Sequence, residues 1–230
     1  MNMQDKIHKI KVPITLAFTL VFFLTYPYLS GKQSSDGLPE LAISFMFLII
    51  PCLSMFLKHK KGFACVCLLA LISIAIATAA IITKDPILVK IAIAAEFFFF
   101  LFTFIMVIKH IFSHDQVTIH QVLTAILGYL LIALLFAFIY TYASFYNPNI
   151  LMFITDNIGA TRSYWHFNET LYFSLVTLTS LGYGDIVPVG GHIRMLAAIE
   201  AVVGQMYIAV FMARLVGIMI SQKLARQKNK

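Results

Sequence analysis

Residues 177 to 185 read Thr-Leu-Thr-Ser-Leu-Gly-Tyr-Gly-Asp and lie between two long apolar segments. Glycine reaches backbone conformations that are closed to other residues, so Gly182 and Gly184 allow the chain to turn successive carbonyl oxygens toward one axis. Oxygens arranged in this way can replace the water around a dehydrated cation. Tyr183 must then point away from the axis, while Ser180 adds a hydroxyl at the inner end. These residue types and their spacing are therefore compatible with cation coordination by the main chain.

The segment resembles the selectivity filter of potassium channels of the voltage-gated-like superfamily, prokaryotic type. Thr177 and Thr179 precede it at the family's spacing, Asp185 closes it and Pro188 follows. The resemblance implies that K⁺ is coordinated by the filter residues Ser180, Leu181, Gly182, Tyr183 and Gly184. Relatives usually carry threonine and then valine where this chain has Ser180 and Leu181. Ser180 keeps the hydroxyl of the usual threonine. How tightly the innermost site would hold an ion is left open.

The composition places the chain in a membrane. Of its 230 residues, 60% are hydrophobic and only 12% are charged, which excludes an ordinary soluble domain. A spanning helix needs about 20 apolar residues. Six segments meet this length: Val12–Ser30, Leu38–Leu57, Gly62–Thr83, Ile87–Ile108, Gln121–Phe145 and His192–Ser221. The sequence thus predicts an all-α integral membrane protein with six spans.

The segment Trp165–Thr179 is too short to span and leads directly into the filter motif, so we interpret it as a re-entrant helix. The resemblance covers roughly His120 to Ser221 and implies an outer helix, a pore helix, the filter and an inner helix. We therefore expect a four-helix bundle over residues 1–115, a pore domain over 116–221 and a short basic cytoplasmic tail over 222–230. One filter strand cannot encircle an ion, so the filter interpretation requires a homotetramer.

Lysine and arginine predict the orientation. One side of the membrane would hold Lys6, Lys9, Lys11, Lys58, Lys60, Lys61, Lys109, Lys223, Arg226, Lys228 and Lys230, and the other only Lys32, Lys84, Lys90, Arg162 and Arg194. This bias places both termini in the cytoplasm. The formal charge of +7 is spread over short loops, which argues against nucleic-acid binding. We expect a multi-pass protein of a bacterial inner membrane, with an uncleaved first segment.

Several residues are candidates for supporting the filter from behind. Thr177 and Thr179 flank its inner end, and Tyr172 is placed to hydrogen-bond Asp185. Relatives often carry a tryptophan pair at the positions of Tyr172 and Phe173, so the bracing is expected to differ. Glu200 has two possible positions: facing the cavity below the filter, or buried against pore-helix hydroxyls such as that of Thr177. Helical geometry favours the buried position.

The last apolar segment predicts a cavity-lining face. Gln205, Ile208 and Met212 recur at helical spacing on one stripe. Gly204 stands where relatives commonly carry a hinge glycine. It can instead permit close contact between helices, as small residues often do in membranes.

The fourth segment lacks the regularly spaced arginines or lysines that voltage sensing requires, since Ile91 to Ile108 contain none. Steep voltage dependence is therefore not expected. Glu96, which lies in this segment, is expected to have a structural role and to pair with Lys90 or Tyr26.

The resemblance favours a potassium-selective channel that uses no cofactor and whose partners are its own copies, membrane lipids and K⁺. Two other transport functions stay open: a weakly selective cation channel and a subunit of a potassium transporter. An intramembrane enzyme would need paired catalytic groups, and Glu96 and Glu200 lie on separate helices.

Overall fold

The computed structural model describes residues 60–83, 85–112, 118–154 and 166–228, together with residues 13, 16, 17, 19–22 and 25. Among the described residues after residue 59, five α-helices, one 3₁₀ turn and two short strands follow one another along the chain. They are α1 (Lys60–Thr83), α2 (Pro86–Phe112), α3 (Ile119–Ser144), a 3₁₀ turn (Pro148–Ile150), β1 (Leu151–Phe153), α4 (Phe167–Leu178), β2 (Ile186–Pro188) and α5 (Gly191–Lys228).

Three of these helices are long and apolar enough to cross a membrane. They contain the stretches Pro86–Phe112, Gln121–Ser144 and Gly191–Ser221, with mean hydropathies of 2.5, 2.7 and 1.8. At about 1.5 Å per residue, each exceeds the roughly 30 Å thickness of a bilayer core. The protein is therefore a mostly helical, multi-pass membrane protein, and the three predicted spans at these positions are confirmed.

The remaining predicted spans are described less completely. The helix α1 coincides with the third predicted span, Gly62–Thr83. The segment Leu38–Leu57 lies outside the described residues, and only eight residues of Val12–Ser30, all helical, lie within them. The count of six spans stays a prediction.

The helices pack in chain order, α1 on α2, α2 on α3, α3 on α4 and α4 on α5. Aromatic rings connect α2, α3 and α4. The ring of Phe100 on α2 stacks on that of Phe138 on α3, with 5.7 Å between centroids, and Phe138 contacts the ring of Phe167 on α4 at 4.8 Å. All three side chains are buried. The short helix α4 is thus anchored through α3 to the preceding bundle.

Two features differ from the sequence-based expectations. The expected all-α fold misses a two-stranded antiparallel sheet, in which Met152 of β1 pairs with Val187 of β2. The expected tail 222–230 is not a separate element up to residue 228, because α5 continues through it to Lys228. Residues 221–228 are mostly good helix formers such as glutamine, lysine, leucine and alanine. The loss of hydropathy near Ser221 therefore marks a change of surroundings and not the end of the helix.

The buried carboxylate of α2 does not pair with Lys90. Glu96 is 2% exposed, whereas the Lys90 ammonium lies 4.4 Å from the centroid of the Tyr146 ring. Tyr26, the other expected partner, lies outside the described residues.

A small residue on α3 brings that helix close to α5. A Cβ atom added to Gly128 would lie 2.5 Å from the Tyr207 hydroxyl and 3.4 Å from Cγ1 of Val107 on α2. The Tyr207 hydroxyl donates a 2.8 Å hydrogen bond to the Ala125 carbonyl oxygen, one turn earlier on α3. Three helices therefore meet at Gly128.

Gly128→Ala is expected to destabilise the protein, because the new methyl group collides with the Tyr207 hydroxyl. Overpacking of this kind costs about 1–3 kcal/mol, and the midpoint of thermal unfolding in detergent should fall. Combining Gly128→Ala with Tyr207→Phe removes the colliding oxygen and should recover part of the loss. An equal loss with and without the Tyr207 hydroxyl would contradict this account.

Candidate functional site

The helix α4 ends where the candidate coordinating segment begins. At its first turn the Glu169 carboxylate accepts a 3.2 Å hydrogen bond from the His166 backbone N–H, which satisfies a donor at the helix terminus. At its last turn the N–H of Thr179, the residue that caps the helix, donates to the Leu175 carbonyl at 3.1 Å. Only 12 residues long, α4 cannot cross a membrane.

The backbone N–H groups that follow α4 turn back onto its carboxyl end. Ser180 N–H donates to the Thr177 carbonyl at 2.9 Å, and Leu181 and Gly182 N–H groups donate to the Val176 carbonyl at 3.0 and 3.4 Å. In a trans peptide the N–H and the preceding C=O point in opposite directions. The carbonyl oxygens of residues 179, 180 and 181 are therefore directed away from α4.

The dihedral angles of this segment alternate in sign. Ser180, Gly182 and Gly184 have φ values of +58°, +58° and +78°, whereas Leu181 and Tyr183 between them have negative φ. An ordinary strand alternates the direction of its carbonyls, and left-handed residues at every second position counteract that alternation. Glycine adopts this conformation without strain. Among the described residues, Ser180 is the only one other than glycine that has positive φ. The dihedral angles are therefore compatible with successive oxygens on one side of the segment, which is the arrangement that a cation site requires.

The Ser180 hydroxyl is held by a hydrogen bond from α5. The side-chain amide of Gln205 on α5 donates to Ser180 Oγ at 3.1 Å. Two residues that the sequence assigned separately to the filter and to the cavity therefore contact each other.

The other end of the segment is fixed by a side-chain hydrogen bond. Tyr172 on α4 donates its hydroxyl to the Asp185 carboxylate at 2.7 Å. This bond lowers the pKa of Asp185, because the ionised form is the better acceptor, and it raises the pKa of Tyr172 to about 12. The two residues stand at the positions that the sequence suggested for such a bond.

The small sheet holds the chain as it leaves the coordinating segment. Ile154 N–H donates to the Asp185 carbonyl at 2.9 Å, and Val189 N–H donates to the Ile150 carbonyl at 2.7 Å. The guanidinium of Arg194 adds a 3.3 Å hydrogen bond to the Pro188 carbonyl. The segment is therefore fixed at both ends, by α4 and by β1.

The end of α4 is also held by α3 and α5. The Tyr129 hydroxyl on α3 donates to the Leu178 carbonyl at 3.0 Å. On the other side Gly204 of α5 lies so close that an added Cβ would be 3.0 Å from the Leu178 carbonyl carbon and nearer still to its oxygen. Only glycine allows this approach, and α5 continues through Gly204 without a break. Close contact is thus one role of Gly204 in this conformation.

Behind α4 lies a buried polar cluster formed by Glu200, Ser174 and Tyr140. The Tyr140 hydroxyl on α3 lies 2.7 Å from Oε2 of Glu200 on α5, and the Ser174 hydroxyl on α4 contacts Oε1. Ser174 Oγ also donates to the Ala133 carbonyl on α3 at 2.8 Å. Glu200 has no exposed surface, so the structure places it behind α4 and away from the exposed stripe. Its partner on α4 is Ser174, one turn before the suggested Thr177.

The predicted cavity stripe lies on the open side of α5. Gln205, Ile208 and Met212 are exposed, with Ile208 at 46% and Met212 at 50%. The buried positions Glu200 and Gly204 are one turn apart on the side of the helix that packs against α4, next to the exposed stripe. One helix therefore carries a packing face and an open face.

Sequence reasoning missed the hydroxyl groups of α3 that hold α4 in place. Tyr129 and Tyr140 lie within an apolar span, where a tyrosine is readily taken for a packing residue. A buried tyrosine hydroxyl usually has a hydrogen-bond partner. Their separation by eleven residues, which is about three turns, was the available sign that both face the same neighbour.

Residues 128–221, from the middle of α3 to the apolar part of α5, match the family model described as ion channel. This segment is an ion-channel pore domain. No curated protein matches the chain. From here on α3, α4 and α5 are called the outer, pore and inner helix, the names expected from the sequence at these positions, and residues 180–184 stand where the filter is expected. The match also agrees with the expectation that the protein is not an enzyme, since the activity of such a domain is to conduct ions across a membrane.

Tyr172→Phe is expected to return the pKa of Asp185 toward its ordinary value of about 3.9. The hydrogen bond stabilises the ionised form, so its contribution is present above the ordinary pKa and is lost as the pH falls through the lowered pKa. Carbon-13 NMR titration of the Asp185 carboxyl should show a higher midpoint in Tyr172→Phe than in the wild type. Tyr142→Phe, which removes another exposed hydroxyl, is the control and should leave Asp185 unchanged. Equal midpoints in Tyr172→Phe and the wild type would contradict the assignment.

Gly204→Ala is expected to displace the end of the pore helix, because the methyl group would overlap the Leu178 carbonyl. We expect a loss of ion flux into liposomes of at least tenfold, with an overpacking cost of about 1–3 kcal/mol. Gly217→Ala is the matched control on the same helix, because a Cβ there meets nothing within 4 Å. Normal flux in Gly204→Ala would mean that this contact does not position the filter.

Proposed function

We propose that the protein is a potassium-selective channel that conducts K⁺ passively through a tetrameric pore. The observation that carries the proposal is the backbone of residues 179–184. The N–H groups of residues 179–182 donate to the last turn of the pore helix, the carbonyls of residues 179–181 turn away from that helix, and left-handed residues alternate over 180–184. Carbonyl oxygens in such a row supply the ligands that replace the hydration shell of K⁺. The carbonyls of Ser180, Leu181, Gly182 and Tyr183 would coordinate the passing ions.

Exposed surface of the single subunit supports a homotetramer. Leu181 and Tyr183 of the filter are 55% and 67% exposed, and Val202 and Met206 of the inner helix are 60% and 57% exposed. Carbonyl groups at membrane depth must face protein or water and not lipid. Four copies around one axis would cover these surfaces and complete the ring of oxygens.

A weakly selective cation channel is the second candidate, because Ser180 and Leu181 replace the threonine and valine common in relatives. The hydrogen bond from Gln205 to Ser180 Oγ favours the selective alternative. A hydroxyl held in place is a better ligand for one size of ion than a freely rotating one. A potassium transporter subunit is disfavoured by the match of residues 128–221 to an ion-channel model.

The gate is proposed to respond only weakly to voltage. The helix α2 corresponds to the sensor position and carries Lys90, Glu96, Lys109 and His110 but no arginine. Only Glu96 lies near its centre, and Lys109 and His110 lie in its last turn. Few charges would therefore move through the field. Residues 116–221 would form the pore, with both termini in the cytoplasm of a bacterial cell.

The wild-type protein in planar bilayers, with K⁺ on one side and Na⁺ on the other, should show a reversal potential near the potassium equilibrium value. Gly182→Ala should abolish the current or its selectivity, because its φ of +58° is unfavourable for alanine although no atom lies within 4 Å of the added Cβ. The loss would come from the backbone conformation and not from a clash.

Gly190→Ala is the matched control, since Gly190 also has positive φ (+82°) and open space but lies beyond the filter. It should conduct selectively. A robust wild-type current that reverses near zero would support the weakly selective channel, and Ser180→Thr combined with Leu181→Val should then sharpen its selectivity. An electrically silent wild type that exchanges K⁺ in flux assays would point instead to a transporter.

A further inference from the structure

The carboxyl group of Glu200 takes part in a network whose hydrogen atoms can be counted. Three oxygen–oxygen contacts join the side chains: Tyr140 Oη with Glu200 Oε2, Ser174 Oγ with Glu200 Oε1, and Ser174 Oγ with the Ala133 carbonyl oxygen. Each contact needs one hydrogen between its two oxygens. The hydroxyls of Tyr140 and Ser174 supply one each, and the Ala133 carbonyl supplies none.

The missing third hydrogen can come only from the carboxyl group. With Glu200 ionised, Ser174 would have to donate either to Glu200 or to Ala133, and the other contact would bring two acceptors together. With Glu200 protonated, Oε1–H donates to Ser174 Oγ, Ser174 donates to the Ala133 carbonyl, and Tyr140 donates to Oε2. Every contact then carries a hydrogen, and every partner is used in its proper role.

Burial leads independently to the same assignment. Glu200 is 0% exposed and lies on a helix that spans the membrane. No cation of the described residues lies within ion-pair distance of its carboxylate, and its two side-chain partners are neutral hydroxyls. A buried carboxylate without a cation is strongly unfavourable, whereas a neutral acid with all its hydrogen bonds made is tolerated.

We infer that Glu200 is a neutral, proton-carrying acid that joins the outer, pore and inner helices, and that its proton positions the pore helix behind the filter. The proton is the only donor that connects the inner helix to Ser174 while leaving Ser174 free to donate to the outer helix. Glu200 is thus a positioning residue, since it touches no ion. Its effect on conduction rests on the proposed channel function, but its protonation does not.

The inference is tested first by infrared spectroscopy of the full-length protein at neutral pH. A protonated carboxyl has a carbonyl stretch well separated from the bands of an ionised carboxylate. Glu200→Gln should remove such a band, and Glu96→Gln, which changes the other buried glutamate among the described residues, identifies the band of that residue. Ser174→Ala should keep the Glu200 band and shift it to higher frequency, because the acid loses its acceptor. The inference would be overturned if Glu200→Gln removed carboxylate absorption and left the carbonyl stretch of the protonated acid unchanged. It would also be overturned if the Glu200 band did not move in Ser174→Ala.

The second test asks whether the proton positions the helix. Glutamine reproduces the neutral acid, because its NH₂ can donate to Ser174 and its carbonyl can accept from Tyr140. Glu200→Gln should therefore conduct within about threefold of the wild type, whereas Glu200→Ala should lose at least tenfold in flux and unfold at a lower temperature. If glutamine failed as badly as alanine while both variants stayed folded, the ionised form would be the one required. If the wild type conducted nothing, the proposed function would fail, but the infrared result would stand.

Discussion

The pore helix must be held at a fixed place and angle, and the rest of the pore domain depends on this constraint. The carbonyls of residues 179–181 point away from it only because the following N–H groups are bound to its last carbonyls. A small shift of the helix would therefore move the whole row of oxygens. In a bilayer, apolar packing alone gives little preference for one position, because lipid tails are as apolar as the side chains. The helix is fixed instead by directional contacts on each side.

These contacts come from hydroxyl and carboxyl groups spread along the helix. Near its start Thr170 shares a 2.7 Å hydrogen bond with Thr141 of the outer helix. At its middle Ser174 joins Ala133 and Glu200, and at its end the Leu178 carbonyl accepts from Tyr129. The ring of Phe173 packs edge-on against Tyr140 between the first two levels. Polar groups inside a membrane protein must find partners within it, and here their pairing orders one short helix.

The sequence predicted the elements of the pore domain well, because each has a strong local signal. Hydropathy located three spans, and the glycines at 182 and 184 marked the turn of the backbone. The pairing of β1 with β2 could not be foreseen, because strands of three residues have no usable periodicity. Their register also depends on where the chain leaves the pore helix on its way to β2. The partner of Glu200 was misplaced by one turn, at Thr177 instead of Ser174, because helical spacing fixes a face but not a depth. The contact of Gly204 with Leu178 could not be predicted, because it depends on how two helices cross and no local sequence pattern reveals that crossing.

Glu200 and Gly204 are consequences of the same close approach. Where the inner helix passes the end of the pore helix, only a hydrogen atom fits, so residue 204 has no side chain. One turn earlier the inner helix carries a buried carboxyl group, and residue 200 makes hydrogen bonds there to side chains of two helices, Tyr140 and Ser174. A leucine there would leave the buried Tyr140 hydroxyl without its acceptor, which is costly in a buried site, although Ser174 could still donate to the Ala133 carbonyl. The inner helix thus makes a steric contact and a polar contact with the pore helix, while the adjacent stripe with Ile208 and Met212 is exposed. Any tilt of this helix must strain both contacts, and so movement at its carboxyl-terminal end is coupled mechanically to the backbone of residues 179–181, which is bound to the end of the pore helix.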